Sequence, residues 1–334
     1  MTEIDYIIKD IFESHLKLRK TSRDKHKSTP PARGQDSGDI NMRLAHLHIP
    51  NIIPFRQASL LQQILVSRLL THKRKQSDSP ALFPPTSAPD PTILTFTPRP
   101  VYTTGRRDLP ASCSPNDESS NTFATKASDL SLPTPLEPIR NILTPTSSPT
   151  NAAQHLAEYY PTLRGGQTTY HGPGQLVIYT ILDLRALRIG PRCHIRLLEN
   201  SVLDVLKGFG VKGGTTTEDP GVWVKPDAGN SGIPRKVAAV GVHLRRFVSS
   251  YGVGFCITEE PLWYLRQIVA CGLEGKESTS LEGVGVNVGD VTMEEVSTRF
   301  VQAFVDRVNS GGPSGGQGPR LDEVYRIQED DVLG

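Results

Sequence analysis

The stretch Arg164-Gly165-Gly166-Gln167-Thr168-Thr169-Tyr170-His171-Gly172-Pro173-Gly174-Gln175, followed at once by Leu176-Val177-Ile178-Tyr179, decides how this chain is read. Four glycines in twelve residues exclude a helix there, because each glycine costs about 1 kcal/mol in a helix interior. The segment is therefore a tight loop feeding a strand. Such a loop lets a ligand approach the main chain and meet bare N–H groups. Binding groups concentrate on loops of this kind when a rigid scaffold carries them.

Outward from the loop, alternating and interleaved patterns predict an α/β domain with a mixed sheet flanked by helices. Residues 43–49 alternate like a strand, and Leu60, Leu61, Ile64, Leu65 and Leu69 recur at helical spacing. That helix is expected to stop in the basic, polar stretch 71–79. Residues 93–96 read as a buried strand and 103–106 as a turn. The apolar run 176–184 is a buried strand. Pro191 suits the first turn of a helix whose apolar face is Ile195, Leu198, Val202, Val205 and Leu206, with Gly208 and Gly210 closing it. Strands are expected at 221–224, 236–242 and 252–257, and a short helix at 262–268. Thr292 and Glu295 form a capping-box pattern ahead of a helix burying Val296, Phe300, Val301, Phe304 and Val308.

Three segments fall outside this pattern. Residues 1–41 are polar and unpatterned and read as a disordered tail. Their cluster of Lys17, Arg19, Lys20, Arg23, Lys25 and Lys27 suits a targeting segment, although Glu3, Asp5, Asp10 and Glu13 precede it. Met42 opens the first segment that reads as folded and is an alternative start. Residues 110–150, rich in Ser, Thr, Pro, Asn and Asp, read as a disordered insertion within one domain spanning 42–308. The remainder, 309–334, reads as a Gly-rich C-terminal tail with a short apolar stretch near Val324 and Tyr325.

Composition narrows the function. Of 334 residues, 37% are hydrophobic and 27 are proline, which fits a chain that is only partly packed. A net charge of +2 gives no footprint for nucleic acid or a membrane surface. No apolar run approaches the roughly 20 residues of a membrane-spanning helix. Cys113, Cys193, Cys256 and Cys271 form no C-x-x-C pair, so neither a disulfide framework nor a zinc site is expected.

Two side chains carry potential chemistry. Cys271 precedes Gly272 at an element boundary, and a thiol there is either a small buried hydrophobe or a nucleophile exposed to a ligand. Lys236 opens an apolar strand after a loop. It is either a solvated strand-end lysine or an amine aimed into a cleft, where burial favours its neutral form. His171 either braces the loop or faces a ligand.

The motif R-G-G-x-x-T-x-H-G-P-G-Q resembles the signature of the lipoyl(octanoyl) transferases, a branch of the biotin and lipoate protein ligase superfamily. Further segments match in order: Thr97-Pro98-Arg99-Pro100-Val101-Tyr102-Thr103-Thr104-Gly105, Lys236-Val237-Ala238-Ala239-Val240-Gly241, Ser250-Tyr251-Gly252-Val253-Gly254-Phe255-Cys256 and Ala270-Cys271-Gly272. Ala270, Tyr251 and Cys256 stand where that family carries Pro, His and Asn. The resemblance implies a biotin/lipoate protein ligase-like catalytic domain. It implies transfer of an octanoyl group from acyl carrier protein to a lysine of lipoyl domains, those of 2-oxoacid dehydrogenases and the glycine cleavage H protein. It makes Cys271 the nucleophile and Lys236 its base. The acyl site would be lined by Arg164, Gly165, Gly166, Gln167, Thr168, Thr169, Tyr170, His171, Ala239, Val240, Gly241, Gly252, Val253 and Gly254. No cofactor, metal or ATP is implied, since a thioester donor is already activated. A mitochondrial location follows from the same resemblance. The alternatives are an ATP-dependent lipoate or biotin ligase, and a non-catalytic binder of lipoyl domains with the same fold.

Overall fold

The apolar run after the Gly-rich loop becomes β7 (Gln175–Ile181), buried along its whole length. In the computed structural model, which describes residues 42–79, 81–82, 87–109, 131–144, 156–225, 232–311 and 319–334, helices cover both faces of this strand. Leu176 and Ile178 enter one core, while Val177, Tyr179 and Ile181 enter a second on the other side. A strand apolar on both faces belongs in the middle of a sheet. Here β7 lies between β2 (Thr92–Pro98) and β11 (Val248–Cys256), antiparallel to both.

Among the described residues that sheet has eight strands in the order β12-β1-β2-β7-β11-β10-β9-β8. Its remaining members are β1 (Met42–Ile53), β8 (Gly214–Thr216), β9 (Gly221–Val224), β10 (Arg235–Arg245) and β12 (Leu321–Ile327). β12, β1 and β2 run parallel and every other pair is antiparallel, so the sheet is mixed as expected. Helices α2 (Pro191–Gly208) and α4 (Met293–Asn309) pack on the first face through Leu198, Val202, Phe300 and Phe304. Helix α1 (Phe55–Asp78) covers the second through Phe55, Leu61, Leu65 and Leu69. Helix α4 starts where its sequence signal lies, with Thr292 Oγ1 accepting the Glu295 N–H at 3.1 Å.

A smaller sheet, β4-β5-β3-β6, is built from β3 (Val101–Thr104), β4 (Leu143–Thr144), β5 (Ala157–Pro161) and β6 (Thr169–His171). With α3 (Glu260–Leu265) it encloses a third core that contains Tyr102, Tyr170 and Tyr264.

Helix α1 ends at Asp78, inside the polar stretch where its end is expected; Lys, Arg and Gln carry it that far because they are good helix formers whether or not they are buried. Two expectations are corrected. The segment 110–150 is not wholly an insertion without structure. Residues 134–142 form a 3₁₀ segment and 143–144 a strand, and Leu132, Leu136, Ile139 and Leu143 fill the third core. Their spacing of four, three and four is a helical repeat that the surrounding Pro and Ser mask. The segment 309–334 is not a tail: β12 pairs with β1, and helix α5 (Glu329–Leu333) follows it, with Val332 in the second core. The expected tail 1–41, with its basic cluster, lies outside the described residues.

Glu158 on β5 is fully buried, and neither carboxylate oxygen has a hydrogen-bond partner among the described residues. Burial lifts its pKa to about 7, against the opposing charge of Arg99. The folded state thus holds this proton more tightly than the unfolded chain, so stability falls as pH rises from about 4.5 through about 7. Glu158→Gln is expected to stabilise the protein at pH 8 by on the order of 2 kcal/mol and much less at pH 5, as read by chemical denaturation at both values.

Candidate active site

The Gly-rich loop is shaped by one buried cation. Arg164 Nη1 donates to the carbonyls of Gly165 (3.2 Å) and Gln167 (2.8 Å), while Nη2 donates to the Thr103 carbonyl (2.8 Å) and Thr103 Oγ1 (3.0 Å). The guanidinium is thus a template for the loop, with its terminal nitrogens turned toward three backbone carbonyls and one hydroxyl. The Gly165 N–H donates to the Val242 carbonyl at 2.9 Å, laying the loop across β10. Missing side chains make this approach possible. A Cβ on Gly105 would collide with the Gly166 carbonyl, and one on Gly241 would stand 3.2 Å from the Gly165 carbonyl. Asp108, unremarked in the sequence, secures the far end. Its Oδ2 accepts from the Thr168 N–H (2.7 Å) and Thr168 Oγ1 (2.8 Å), and its Oδ1 accepts from Gln167 Nε2 (3.3 Å).

Beyond the loop, the alternation of β6 sorts the next residues. Thr169 and His171 face a cavity of about 450 Å³ between the loop and the strands β10 and β11. Tyr170 points the other way and stacks on Tyr264, with ring centroids 4.2 Å apart. Tyr170 and Thr168, both expected in the acyl site, are therefore not in the cavity wall: one belongs to the third core and the other is consumed by Asp108. His171 is neither bonded to the loop backbone nor a titrating base. Its Nδ1 meets Gln175 Oε1 at 2.6 Å and its ring lies parallel to Phe55. Burial, and then the charge of Arg164, push its pKa down to about 4, so the imidazole is neutral at neutral pH. With Nδ1–H given to Gln175, Nε2 is left as an acceptor. Gln175 passes its amide on to Cys256 Sγ at 3.3 Å. Burial raises the Cys256 pKa to about 11, so that thiol stays protonated.

The facing wall is a strip of small residues. In the β10–β11 ladder Ala239 pairs with Gly254 and Gly241 with Gly252. These positions turn from the core that Val253 and Phe255 enter. A Cβ on Gly254 would stand 3.0 to 3.1 Å from Gln175 and His171, so its absence lets the imidazole sit close to the sheet.

Lys236 reaches this wall through an irregularity. The register of β10 against β9 shifts between Lys236 and Ala238, and Val237 and Ala238 both pack into the core. An extra residue in one strand reverses which face the following side chains occupy. Lys236 and Ala239, which a regular strand would put on opposite faces, thus line one cavity. The Lys236 ammonium is buried and has no ion pair among the described residues. Its Nζ donates to the Pro220 carbonyl at 3.1 Å and lies 4.7 Å from the centre of the Trp223 ring. Burial pushes its pKa below the ordinary lysine value, against the pull of Cys271, Asp219 and Glu199.

Cys271 sits in a tight turn where Gly272 N–H donates to the Val269 carbonyl (2.9 Å) and Leu273 N–H to that of Ala270 (3.2 Å). Its backbone is left-handed, φ 57°, which costs a non-glycine residue about 1 kcal/mol or more. Its N–H donates to the Thr168 carbonyl at 2.8 Å, so the Gly-rich loop holds the turn directly. Cys271 lines the 450 Å³ cavity together with Lys236, and both also border a pocket of about 30 Å³ behind it. The larger volume falls in the range of about 300–1,000 Å³ usual for small-molecule sites. Of the expected site residues, all but Thr168 and Tyr170 border it, joined by Arg107, Tyr179, Asp219, Pro220 and Tyr251.

A buried lysine and a cysteine thus converge on one cavity beneath a Gly-rich loop, on a mixed α/β scaffold. Residues 145–305 match the lipoyl protein ligase A/B catalytic domain. A Schizosaccharomyces pombe protein named "Probable octanoyltransferase" is 32% identical over 254 residues, covering 76% of this chain and 92% of that protein. The octanoyltransferase of Solibacter usitatus is 41% identical over 146 residues, covering 44% of this chain and 60% of that protein. Among solved structures, a bipartite lipoate protein ligase of Thermoplasma acidophilum aligns over 88% of this chain and 90% of its own, at 12% identity and a TM-score of 0.47. The chain belongs to the octanoyltransferase family of acyltransferases.

Lysine cannot reproduce the forked donors of Arg164. Arg164→Lys is expected to leave buried carbonyls unpaired, lowering stability by roughly 2 kcal/mol and octanoyl transfer at least tenfold, as measured by thermal melting and a gel-shift transfer assay.

Proposed function

We propose that this protein carries an octanoyl group from acyl carrier protein to a lysine of a lipoyl domain through a thioester on Cys271, a step in lipoate biosynthesis. The observation that carries the reading is the convergence of the Cys271 thiol and the unpaired, buried Lys236 amine on one cavity. Relatives named octanoyltransferase support the acyl group, and the match to the lipoyl protein ligase A/B catalytic domain supports the acceptor.

Lys236 takes the proton of Cys271, and the sulfur attacks the donor thioester carbonyl. The tetrahedral centre expels the carrier thiolate, which recovers the proton. The acceptor amine then attacks the octanoyl-Cys271 carbonyl and gives a proton to Lys236. An amide forms and the Cys271 thiolate departs. This is covalent catalysis in two displacements, with ping-pong kinetics. The developing oxyanion needs a backbone donor. Residues 252–255 of β11 are paired on both sides and offer none. The outer edge of β10 is different: β9 ends opposite Ala239, and the Val242 carbonyl on that edge takes the loop. Strand alternation puts the Val240 N–H on the same edge, in the cavity wall, and we assign it the oxyanion, a contact worth about 3 kcal/mol. The neutral His171 and the strip from Ala239 to Gly254 enclose the acyl chain. As part of the same proposal the site of action is mitochondrial, which the basic cluster Lys17 to Lys27 supports.

Wild-type protein incubated with octanoyl-acyl carrier protein and no ATP is expected to gain one octanoyl mass, released by hydroxylamine. Cys271→Ala is expected to gain none. Lys236→Met is expected to slow adduct formation by roughly 10²- to 10³-fold. Absence of an adduct on folded wild-type protein would sink the covalent route.

A further inference from the structure

Two ammonium groups share one indole. Lys236 Nζ lies 4.7 Å and Lys276 Nζ 5.5 Å from the centre of the Trp223 ring. Trp223 is almost wholly buried, opposite Lys236 in the β9–β10 ladder, and its Nε1 is anchored on the Asp219 carbonyl at 3.4 Å. Lys276 stands on the exposed segment that follows the Cys271 turn, with its N–H donated to the Leu273 carbonyl at 3.3 Å. That segment is clamped to β10: Lys236 N–H donates to the Glu277 carbonyl, and Thr279 N–H to that of Lys236, both at 2.8 Å. The stretch carrying the thiol therefore also delivers a second cation beside the amine. Lys236, Lys276, Trp223 and Cys271 all border the 30 Å³ pocket.

The charges around Lys236 are unevenly committed. Glu199 on α2 spends Oε1 on the Gly221 N–H and Oε2 on Arg196, both at 2.9 Å. Asp219 lines the larger cavity, and Glu277 borders the smaller one beside Lys276. None of the three forms an ion pair with Lys236 among the described residues, and the amine donates to the neutral Pro220 carbonyl. The ring attracts a cation, and Lys276 lies against the same indole as Lys236. A nearby like charge disfavours a second ammonium.

We propose that Lys276 is a positioning residue for the transfer: held over Trp223 beside Lys236, its charge keeps the Lys236 amine in the proton-accepting form. It touches no reacting atom. Its effect is to let a lysine act as a base near neutral pH. Burial already pushes Lys236 in this direction, and Lys276 adds to it while Cys271, Asp219 and Glu199 oppose it. The inference rests on the thioester reading for its catalytic consequence, but not for its electrostatic content.

The test therefore has two arms. In the first, octanoyl-enzyme formation is followed against pH for wild type, Lys276→Met and Lys276→Arg. Lys276→Met is expected to move the rising limb to higher pH by about 0.5–1, lowering the rate at pH 7 several-fold. Its high-pH plateau and the KM for octanoyl-acyl carrier protein stay as in wild type, and Lys276→Arg restores the wild-type profile. A uniform loss at every pH, or a changed KM with an unmoved profile, would overturn the proposal. In the second arm, full-length protein with 13C-labelled lysine is titrated by NMR, the Lys236 signal being identified by its loss in Lys236→Met. Its titration is expected to rise in Lys276→Met whether or not an acyl-enzyme forms. An unmoved Lys236 titration would refute the proposal, while a moved one without any octanoyl adduct would refute the thioester reading alone.

Discussion

The site depends on a guanidinium with no carboxylate. Arg164 is buried against three backbone carbonyls and one hydroxyl, and no ion pair holds it among the described residues. An ion pair would fix a point, whereas a fork of donors fixes the path of a chain. The path fixed here has two consequences. One end of the loop crosses β10 through the Gly165 N–H, forming the roof of the cavity, and the other presents the Thr168 carbonyl to the N–H of Cys271. The thiol is thus referenced to the sheet through the loop. Glycines at 105 and 241 are required because the loop must come within backbone contact of its supports.

A second constraint sets the amine. Without the extra residue near Val237, Lys236 would lie on the core side of β10, where an unpaired ammonium is untenable. With it, the same chain buries Val237 and Ala238 and still turns Lys236 to the cavity. The amine is then held by a carbonyl and an aromatic ring, neither of which neutralises it. That is a poor environment for storing charge and a good one for exchanging a proton. The left-handed Cys271 is also held against its preference, since backbone strain persists only where the surrounding structure over-determines it.

Much of this was legible because the responsible signals are local. The Gly-rich loop, the two-sided apolar run of β7, the Pro191 helix start and the Thr292 cap each act within a few residues. The ordered motifs also paired Cys271 with Lys236. What escaped is nonlocal or masked. Asp108 acts on Thr168 from sixty residues away, and Lys276 acts through Trp223, with no spacing in sequence to announce either. Tyr170 sits inside the motif but strand alternation gives it to the core, a distinction that a loop reading of the motif could not make. The strand Leu321–Ile327 is an edge strand with six of its seven residues at least partly exposed among charges, so it carried little apolar pattern.

The three departures from the family pattern find their places in the scaffold. Tyr251, where a His is usual, has a left-handed backbone and hands its N–H to Gln62 Oε1, while its hydroxyl accepts the Leu163 N–H at 3.2 Å. It therefore braces the approach to Arg164 from α1 and β11 together. Cys256, where an Asn is usual, takes the Gln175 amide that also orients His171, so the imidazole keeps a chain of partners without a second amide. Ala270 gives up the rigidity of proline, but the turn is closed by two backbone bonds of its own and a third to Thr168. Each substituted side chain acts on the frame around the thiol and the amine. The chemistry of the site can therefore persist while its supports vary, provided that Arg164 keeps the loop in register with both.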